Sequence, residues 1–218
     1  MDRMECIYKH YTSTLMALDD AYWSGRYSNH TAAWDAGAIT APLKKYLDQL
    51  TDKNIAILIP GCGNGYEAEY LLQKDFSNIT LIDISSVLCR NLEEKLQPFL
   101  SSGLKIICAD FFELQGQYDL IIEQTFFCAL DPSLRKAYAD KMYQLLNPGG
   151  KLVGVFFNRS FDDGRPFGGS ENEYRSLFQD QFTIVVMEEC YNSIAPRKGV
   201  ELFVKLIKSG APFVDKMF

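Results

Sequence analysis

The segment NIAILIPGCGNGY at residues 54–66 constrains the fold more than any other feature of the chain, because a short apolar run leads directly into a glycine-rich loop. Gly61, Gly63 and Gly65 alternate, and each lets the backbone adopt positive φ angles and approach a ligand where any Cβ would intrude. The next segment, Tyr66–Gln73, has helical spacing, so its first amides face the loop. Strand, glycine loop and helix in this order predict a nucleotide-binding unit of an α/β sheet.

The glycine spacing distinguishes between two classes of cofactor. The loop reads G-x-G-x-G, whereas dinucleotide-binding loops read G-x-G-x-x-G. The third glycine of a dinucleotide loop permits close packing of helix on strand, and Tyr66 occupies that place here. The spacing therefore favours S-adenosylmethionine over NAD, which makes a nicotinamide-linked oxidoreductase the disfavoured alternative. A tight turn without any ligand is the other interpretation of such a loop.

Apolar, β-branched runs alternate with amphipathic segments along the chain, as in a mostly parallel sheet covered on both faces. The last two predicted strands are joined by too short a link for a crossover helix, so they should pair antiparallel. Seven strands with this ending predict a class I (Rossmann-like) methyltransferase fold in one α/β domain, residues 1–218, with residues 1–50 as an N-terminal helical cap. The predicted strands are Ile55–Ile59, Ile79–Asp83, Leu104–Cys108, Tyr118–Glu123, Lys151–Phe157, Phe182–Cys190 and Val200–Lys208. The predicted helices are Thr40–Gln49, Tyr66–Lys74, Ser86–Leu100, Pro132–Leu146 and Glu171–Gln179.

Composition restricts the partners and the compartment. The net charge of -6 argues against a broad phosphate-binding surface, so a nucleic-acid partner is not expected. The six cysteines are scattered without a C-x-x-C pair, which fits reduced thiols in the cytoplasm. Neither a signal peptide nor a membrane-spanning run is apparent, and no metal-ligand spacing occurs. We therefore expect a cytoplasmic protein without membrane or metal, whose oligomeric state the sequence leaves open.

Two acids follow predicted strands at the edge where the glycine loop lies. Asp83 ends the second strand, where an acid can accept hydrogen bonds from ribose hydroxyls. Capping of the following helix is the alternative role for Asp83. Asp110 follows the third strand and can accept from an adenine amino group, while Phe111 offers its ring to the base. An ordinary surface turn is the alternative for Asp110.

The fourth predicted strand ends in the polar and aromatic run EQTFFC at residues 123–128. Gln124 should lie near the methionine part of the cofactor, because it stands at the same edge of the sheet. Phe126 and Phe127 are candidates for the wall of an acceptor pocket. Buried aromatic residues at such a place are as often part of the core, and that alternative stays open.

An aromatic series near the N-terminus adds a more specific pattern. Trp23 is followed by Tyr27 and Trp34, and the last of these opens the motif WDAG at residues 34–37. Together with the glycine loop, this series resembles the thiopurine S-methyltransferase superfamily, most closely its halide and thiol methyltransferase branch. The resemblance covers nearly the whole chain through the motifs IPGCG (59–63), DIS (83–85), ADFF (109–112), FFCA (126–129), YQLLNPG (143–149) and PRKG (196–199).

The resemblance implies a site for S-adenosylmethionine. By it, three aromatic residues of the cap close over the cofactor, whose sulfonium is a cation that aromatic faces can hold. The implied cofactor residues are Trp23, Tyr27, Trp34, Gly61, Gly63, Asp83, Asp110, Phe111 and Gln124, and Gly65 belongs to the same loop. The sequence departs from the family at Tyr27, where tryptophan is more common, and at Phe157, where the plant enzymes tend to carry tyrosine.

The resemblance also implies methyl transfer to a small soft nucleophile, such as a thiol, hydrosulfide, thiocyanate or halide. Such anions need no strong general base, and neither His10 nor His30 stands in a strand-end loop, so no catalytic residue is assigned. Candidate acceptor residues are Phe126, Phe127, Phe157 and Arg197, with Arg159 and Arg165 as weaker candidates. A thiopurine-like, oxygen or nitrogen acceptor is the alternative, and a non-catalytic cofactor-binding protein is the next.

Overall fold

The computed structural model describes residues 18–162 and 165–210. Its centre is one seven-stranded sheet with the strand order β3-β2-β1-β4-β5-β7-β6. The strands are β1 Ile57–Pro60, β2 Ile79–Asp83, β3 Leu104–Cys108, β4 Tyr118–Gln124, β5 Leu146–Phe157, β6 Phe182–Glu189 and β7 Glu201–Lys208. The α-helices are α1 Asp20–Ser28, α2 Ala41–Leu47, α3 Tyr66–Leu72, α4 Ser86–Lys95, α5 Arg135–Leu145 and α6 Glu171–Phe178. Residues 1–17 of the predicted cap, including His10, lie outside the described residues.

The pairing of the strands confirms the predicted sheet. Strands β1 to β5 pair in parallel, and β7 lies between β5 and β6 and pairs antiparallel with both. All seven predicted strands are present, and their bounds differ from the prediction mainly at the ends. The parallel strands place their carboxyl ends along one edge, which is where open α/β sheets bind ligands.

The largest differences from the prediction lie where two helices end. The helix predicted over 86–100 stops at Lys95 and continues as a 3₁₀ turn, Gln97–Phe99, because Pro98 has no N–H for the α-helical ladder. Strand β5 begins at Leu146 rather than Lys151. Leu146 already pairs with Tyr118, and residues 147–150 form an irregularity within the strand.

The central strands of the sheet are buried on both faces, which explains their apolar runs. All four residues of β1 are buried. Leu58 belongs to the core on the side of α5 and α6, whereas Ile57 and Ile59 belong to the core on the side of α2, α3 and α4. Such two-sided burial is typical of parallel strands covered by helices. Among residues 18–162 and 165–210, no helix has the length and apolar character needed to cross a membrane.

Polar contacts fix the described part of the cap over the carboxyl edge of the sheet. The Asp20 carboxylate in α1 accepts hydrogen bonds from the Ser86 backbone N–H at 2.7 Å and from the Ser24 hydroxyl. Ser24 in turn lies 2.9 Å from the Ser85 hydroxyl, at the start of α4. These contacts join α1 to the segment that follows β2, so the cap covers the strand ends.

Candidate active site

A cavity of about 520 Å³ lies between the cap and the carboxyl ends of β1 to β4. Its volume is within the range typical of small-molecule sites. Twelve of the fourteen predicted site residues line it: Trp23, Tyr27, Trp34, Gly61, Gly63, Asp83, Asp110, Phe111, Gln124, Phe126, Phe157 and Arg197. The structure thus brings together residues from the cap, from the ends of β1 to β5 and from the segment before β7.

The glycine loop forms the floor of the cavity. Gly61 and Gly63 have φ angles of 54° and 51°, a region that L side chains rarely adopt. A Cβ on Gly61 would lie 2.3 Å from the Phe126 ring, so only glycine lets the loop and that ring meet. A Cβ on Gly63 would lie 3.7 Å from the Tyr27 hydroxyl oxygen, the nearest heavy atom to it outside the adjoining residues. The bare backbone of this loop is therefore the part that faces the cap.

Gly65 does not line the cavity, although the sequence placed it in the cofactor loop. It precedes α3 with a φ of 69°, and a Cβ there would lie 2.8 Å from Leu92 in α4. Gly65 therefore serves the close packing of two helices. Its position is set by core geometry, which the alternating glycine pattern does not reveal.

Asp83 lies at the end of β2 and is largely buried. Its carboxylate accepts a hydrogen bond from the Ser85 backbone N–H at 2.9 Å. Burial raises the pKa of Asp83 to about 6, against the lowering effect of the backbone N–H groups that donate to it. The N-cap of α4 is Ser85, whose hydroxyl accepts from the Leu88 backbone N–H. The alternative role of Asp83 as helix cap is therefore not what the structure shows.

Asp110 is exposed at the mouth of the cavity, after β3. It accepts a hydrogen bond from the Phe112 backbone N–H at 2.8 Å and so begins a 3₁₀ turn, Phe111–Glu113. Both roles considered for Asp110 are thus compatible, because one carboxylate oxygen is engaged in the turn while the residue lines the cavity. The Phe111 ring lies beside it and is buried.

Three aromatic residues of the cap enclose the opposite side. Trp23 and Trp34 meet edge to face with ring centres 5.5 Å apart, and Tyr27 meets Trp34 in the same way at 6.0 Å. The Arg26 guanidinium lies 5.3 Å from the Trp34 ring centre. Burial, followed by the charge of Asp83, raises the pKa of Tyr27, so its phenol stays neutral. The rings form an aromatic wall at the cap.

The ends of β4 and β5 and the segment before β7 form the other half of the cavity. The Gln124 side chain accepts a hydrogen bond from the Thr40 hydroxyl at 2.9 Å, which joins the cap to β4. The Arg197 guanidinium is 9% exposed and lies 5.7 Å from the Phe157 ring centre. Its Nη2 donates to the Trp34 carbonyl at 2.6 Å, and its Nη1 lies 3.5 Å from Glu201 without a hydrogen-bond partner among the described residues. This half combines aromatic walls with a buried positive charge.

Phe127 does not line the cavity. It is 2% exposed and stacks on Phe156 with ring centres 4.8 Å apart, and Tyr138 lies at the same distance. The core role that the sequence left open is therefore the observed one. The direction of Phe127 is set by the turn after β4, which turns Phe126 toward the cavity and Phe127 toward the core.

Glu123 holds that turn, and the sequence did not identify it. One of its carboxylate oxygens accepts from the backbone N–H groups of Phe126 at 2.8 Å and Phe127 at 3.0 Å. Thr125, which precedes Phe126, has a φ of 61°, an uncommon angle for a residue with a β-branched side chain. Burial raises the pKa of Glu123 to about 7. The sequence feature that could have identified Glu123 is an acidic residue at the end of an otherwise apolar strand.

Several lining residues were also missed because their sequence context is ordinary. Thr40 precedes α2, and Glu67 lies in the first turn of α3, where an acid normally faces solvent; Glu67 is only 6% exposed. Of the two arginines that the sequence offered as weaker acceptor candidates, Arg165 lines the cavity, with its guanidinium 5.3 Å from the Tyr22 ring centre. Arg159 does not line it and lies against the Phe161 ring instead. No periodicity or spacing distinguishes Thr40 and Glu67 from surface positions.

Comparison with solved structures identifies the class of fold. The structure of the Burkholderia thailandensis 1,6-didemethyltoxoflavin-N1-methyltransferase with bound S-adenosylhomocysteine aligns with a TM-score of 0.70. The alignment covers 91% of this chain and 94% of that chain at 17% identity. The magnesium protoporphyrin IX methyltransferase of Synechocystis aligns with a TM-score of 0.65, 17% identity and coverage of 96% and 98%. The chain therefore has the class I methyltransferase fold.

Comparison of sequences identifies the family. The sequence model of the thiopurine S-methyltransferase family matches residues 18–209. A probable thiol methyltransferase 2 of Arabidopsis thaliana is 29% identical over 86% of this chain and 84% of its own length. Thiocyanate methyltransferase 1 of Brassica oleracea is 29% identical, with coverage of 84% and 83%. The chain belongs to the thiopurine S-methyltransferase family and is an S-adenosylmethionine-dependent methyltransferase.

Proposed function

We propose that the chain is a single catalytic domain that binds S-adenosylmethionine in this cavity and methylates a small soft nucleophile, a thiol in the first place. The observation that carries the proposal is the composition of the cavity, which has two halves. One half presents glycine backbone, acids and aromatic rings, and the other presents aromatic walls with a buried arginine. Neither half, as described, contains a histidine.

The cofactor half matches the parts of S-adenosylmethionine in the order of the strands. Asp83 after β2 would bind the ribose hydroxyls, and Asp110 with Phe111 after β3 would bind the adenine. The backbone of Gly61 and Gly63, together with Gln124, would lie along the methionine part. The aromatic wall formed by Trp23, Tyr27 and Trp34 would hold the sulfonium end, because aromatic faces attract a weakly hydrated cation.

The acceptor half favours an anionic or polarisable group with an apolar body. Phe126 and Phe157 supply apolar walls, and the Arg197 guanidinium supplies positive charge that its 3.5 Å contact with Glu201 offsets only in part. Thiolates and halides are anions that leave water at moderate cost. The plant relatives are described as thiol and thiocyanate methyltransferases, which supports the same acceptor class.

The residues of the chain would act chiefly by orientation. S-adenosylmethionine would supply an electrophilic methyl group: the acceptor bonds to the methyl carbon as the carbon–sulfur bond opposite it breaks, and the electrons of that bond pass to the sulfur. The cavity residues hold the two partners collinear and exclude water, which raises the rate by proximity. Arg197 would stabilise the anionic form of the acceptor as it enters, so no side chain has to remove a proton. We place the enzyme in the cytoplasm, acting on small molecules and not on nucleic acid.

The test is an acceptor panel with purified protein and S-adenosylmethionine, in which S-adenosylhomocysteine release is measured. Aromatic thiols, thiopurines, hydrosulfide, thiocyanate, iodide and bromide are compared with matched phenols, alcohols and amines. The proposal predicts that soft acceptors support turnover at least about 100-fold faster than their oxygen or nitrogen counterparts, because these need a base. Turnover confined to oxygen or nitrogen acceptors would overturn the acceptor class, and binding without turnover of any acceptor would overturn catalysis.

A further inference from the structure

One carboxylate in the cavity differs from the others in its hydrogen bonding. Four acids of the described chain line the cavity: Asp35, Glu67, Asp83 and Asp110. Each aspartate accepts a backbone N–H from another residue, at 2.7 Å for Asp35, 2.9 Å for Asp83 and 2.8 Å for Asp110. For Glu67, the one donor within the described chain is its own backbone N–H. No lysine or arginine of the described chain lies within ion-pair distance of it.

The environment of Glu67 disfavours its negative charge. The residue is 6% exposed. Burial, followed by the nearby charge of Asp35, raises the pKa of Glu67 to about 7 against the effect of its own N–H. A buried carboxylate without a partner is costly, and a cationic ligand would relieve that cost. Glu67 is therefore suited to meet a positive group that arrives from solution.

The position of Glu67 selects which positive group that is. It lies in α3, directly after the loop that follows β1, and the strand order is β3-β2-β1-β4. With the adenine at Asp110 after β3 and the ribose at Asp83 after β2, the β1 end receives the methionine part of the cofactor. Of the two positive groups in that part, the sulfonium must face the acceptor half at the β4 end. The α-ammonium is left for the β1 side, where Glu67 stands.

We propose that the Glu67 carboxylate binds the α-ammonium group of the methionine part of S-adenosylmethionine. The inference rests on the proposed function, because it takes the cavity as the cofactor site. It adds a recognition element for the amino-acid end of the cofactor. It also means that S-adenosylhomocysteine, which keeps the ammonium but has no sulfonium, uses the same contact.

The test is calorimetric titration of the ligand-free protein with two ligands, S-adenosylhomocysteine and its deaminated analogue, in which hydrogen replaces the α-ammonium. Glu67→Gln should weaken the affinity for S-adenosylhomocysteine at least about tenfold, because a charge-assisted hydrogen bond is lost. The same substitution should change the affinity of the deaminated analogue less than about twofold. The matched control is Glu69→Gln in the same helix, which removes a surface acid paired with Lys95 and should leave both affinities unchanged.

Each other outcome has a distinct meaning. An equal loss for both ligands would assign Glu67 a structural role and overturn the inference. An unchanged affinity for both ligands would place Glu67 outside the cofactor contacts and overturn it too. Failure of the wild-type protein to bind S-adenosylhomocysteine would overturn the proposed function itself. Thermal unfolding without ligand separates misfolding from a binding defect, since Glu67→Gln should leave the melting temperature unchanged or higher.

Discussion

At the scale of single residues, the candidate site is built from acids placed where water is scarce. Glu67 and Glu123 are buried and Asp83 is partly buried, and burial raises the pKa of each toward neutrality. The three acids differ in which groups donate hydrogen bonds to them. Asp83 and Glu123 accept backbone N–H groups of other residues, whereas the one donor to Glu67 among the described residues is its own backbone N–H. This difference separates groups that hold the site together from a group that recognises a cofactor.

Glu123 gives a residue-scale prediction about pH. Its pKa is raised in the folded state, so its charged form is disfavoured there, and its contribution to stability is present at low pH and lost as pH rises through about 7. Glu123→Gln keeps an oxygen that can accept both backbone N–H groups but cannot ionise. The free energy of unfolding of the wild type should therefore fall, relative to this variant, by about 2 kcal/mol between pH 5 and pH 8.5.

Urea unfolding at the two pH values measures this difference. The control variant is Glu94→Gln, which replaces an exposed acid and should unfold like the wild type. A constant difference between wild type and Glu123→Gln across this range would show that Glu123 ionises normally, and that the turn holding Phe126 and Phe127 does not depend on a desolvated carboxyl group.

At the scale of elements, the cap is the part that joins the two halves of the cavity. Hydrogen bonds connect it to the start of α4 through Asp20 and Ser24, to β4 through Thr40, and to Arg197 through the Trp34 carbonyl. None of these contacts could be predicted from the sequence, because they pair polar residues far apart in the chain. The aromatic series was visible in the sequence only through its resemblance to a family.

The cap gives a prediction for fluorescence. The chain has two tryptophans, Trp23 and Trp34, and both line the cavity. Saturation with S-adenosylhomocysteine should therefore shift or quench the tryptophan emission, because the ligand replaces water beside both indoles. The single-tryptophan variants Trp23→Phe and Trp34→Phe should each still show a change in emission when the ligand binds. Unaltered emission at ligand saturation, verified by calorimetry, would mean that the cap does not contact the cofactor.

At the scale of the whole molecule, the order of elements was largely predictable and the direction of side chains was not. The strand-forming run Ile79–Asp83 coincides with the observed strand β2, because a parallel strand buried on both faces requires a nearly continuous apolar sequence. Phe126 and Phe127 are adjacent and chemically alike, yet one lines the cavity and the other is core. That separation depends on the positive φ of Thr125 and on Glu123, neither of which local sequence specifies.

The central claim is that the protein orients a cofactor and an already nucleophilic acceptor, without a side chain that removes a proton. The most direct test is the pH dependence of kcat/KM for two aromatic thiols whose own pKa values differ by about two units, at saturating S-adenosylmethionine. Our account predicts that the rising limb moves with the pKa of the thiol, by about two pH units between the two acceptors. A rising limb of kcat/KM at the same pH for both thiols would reveal a base on the enzyme and contradict the account.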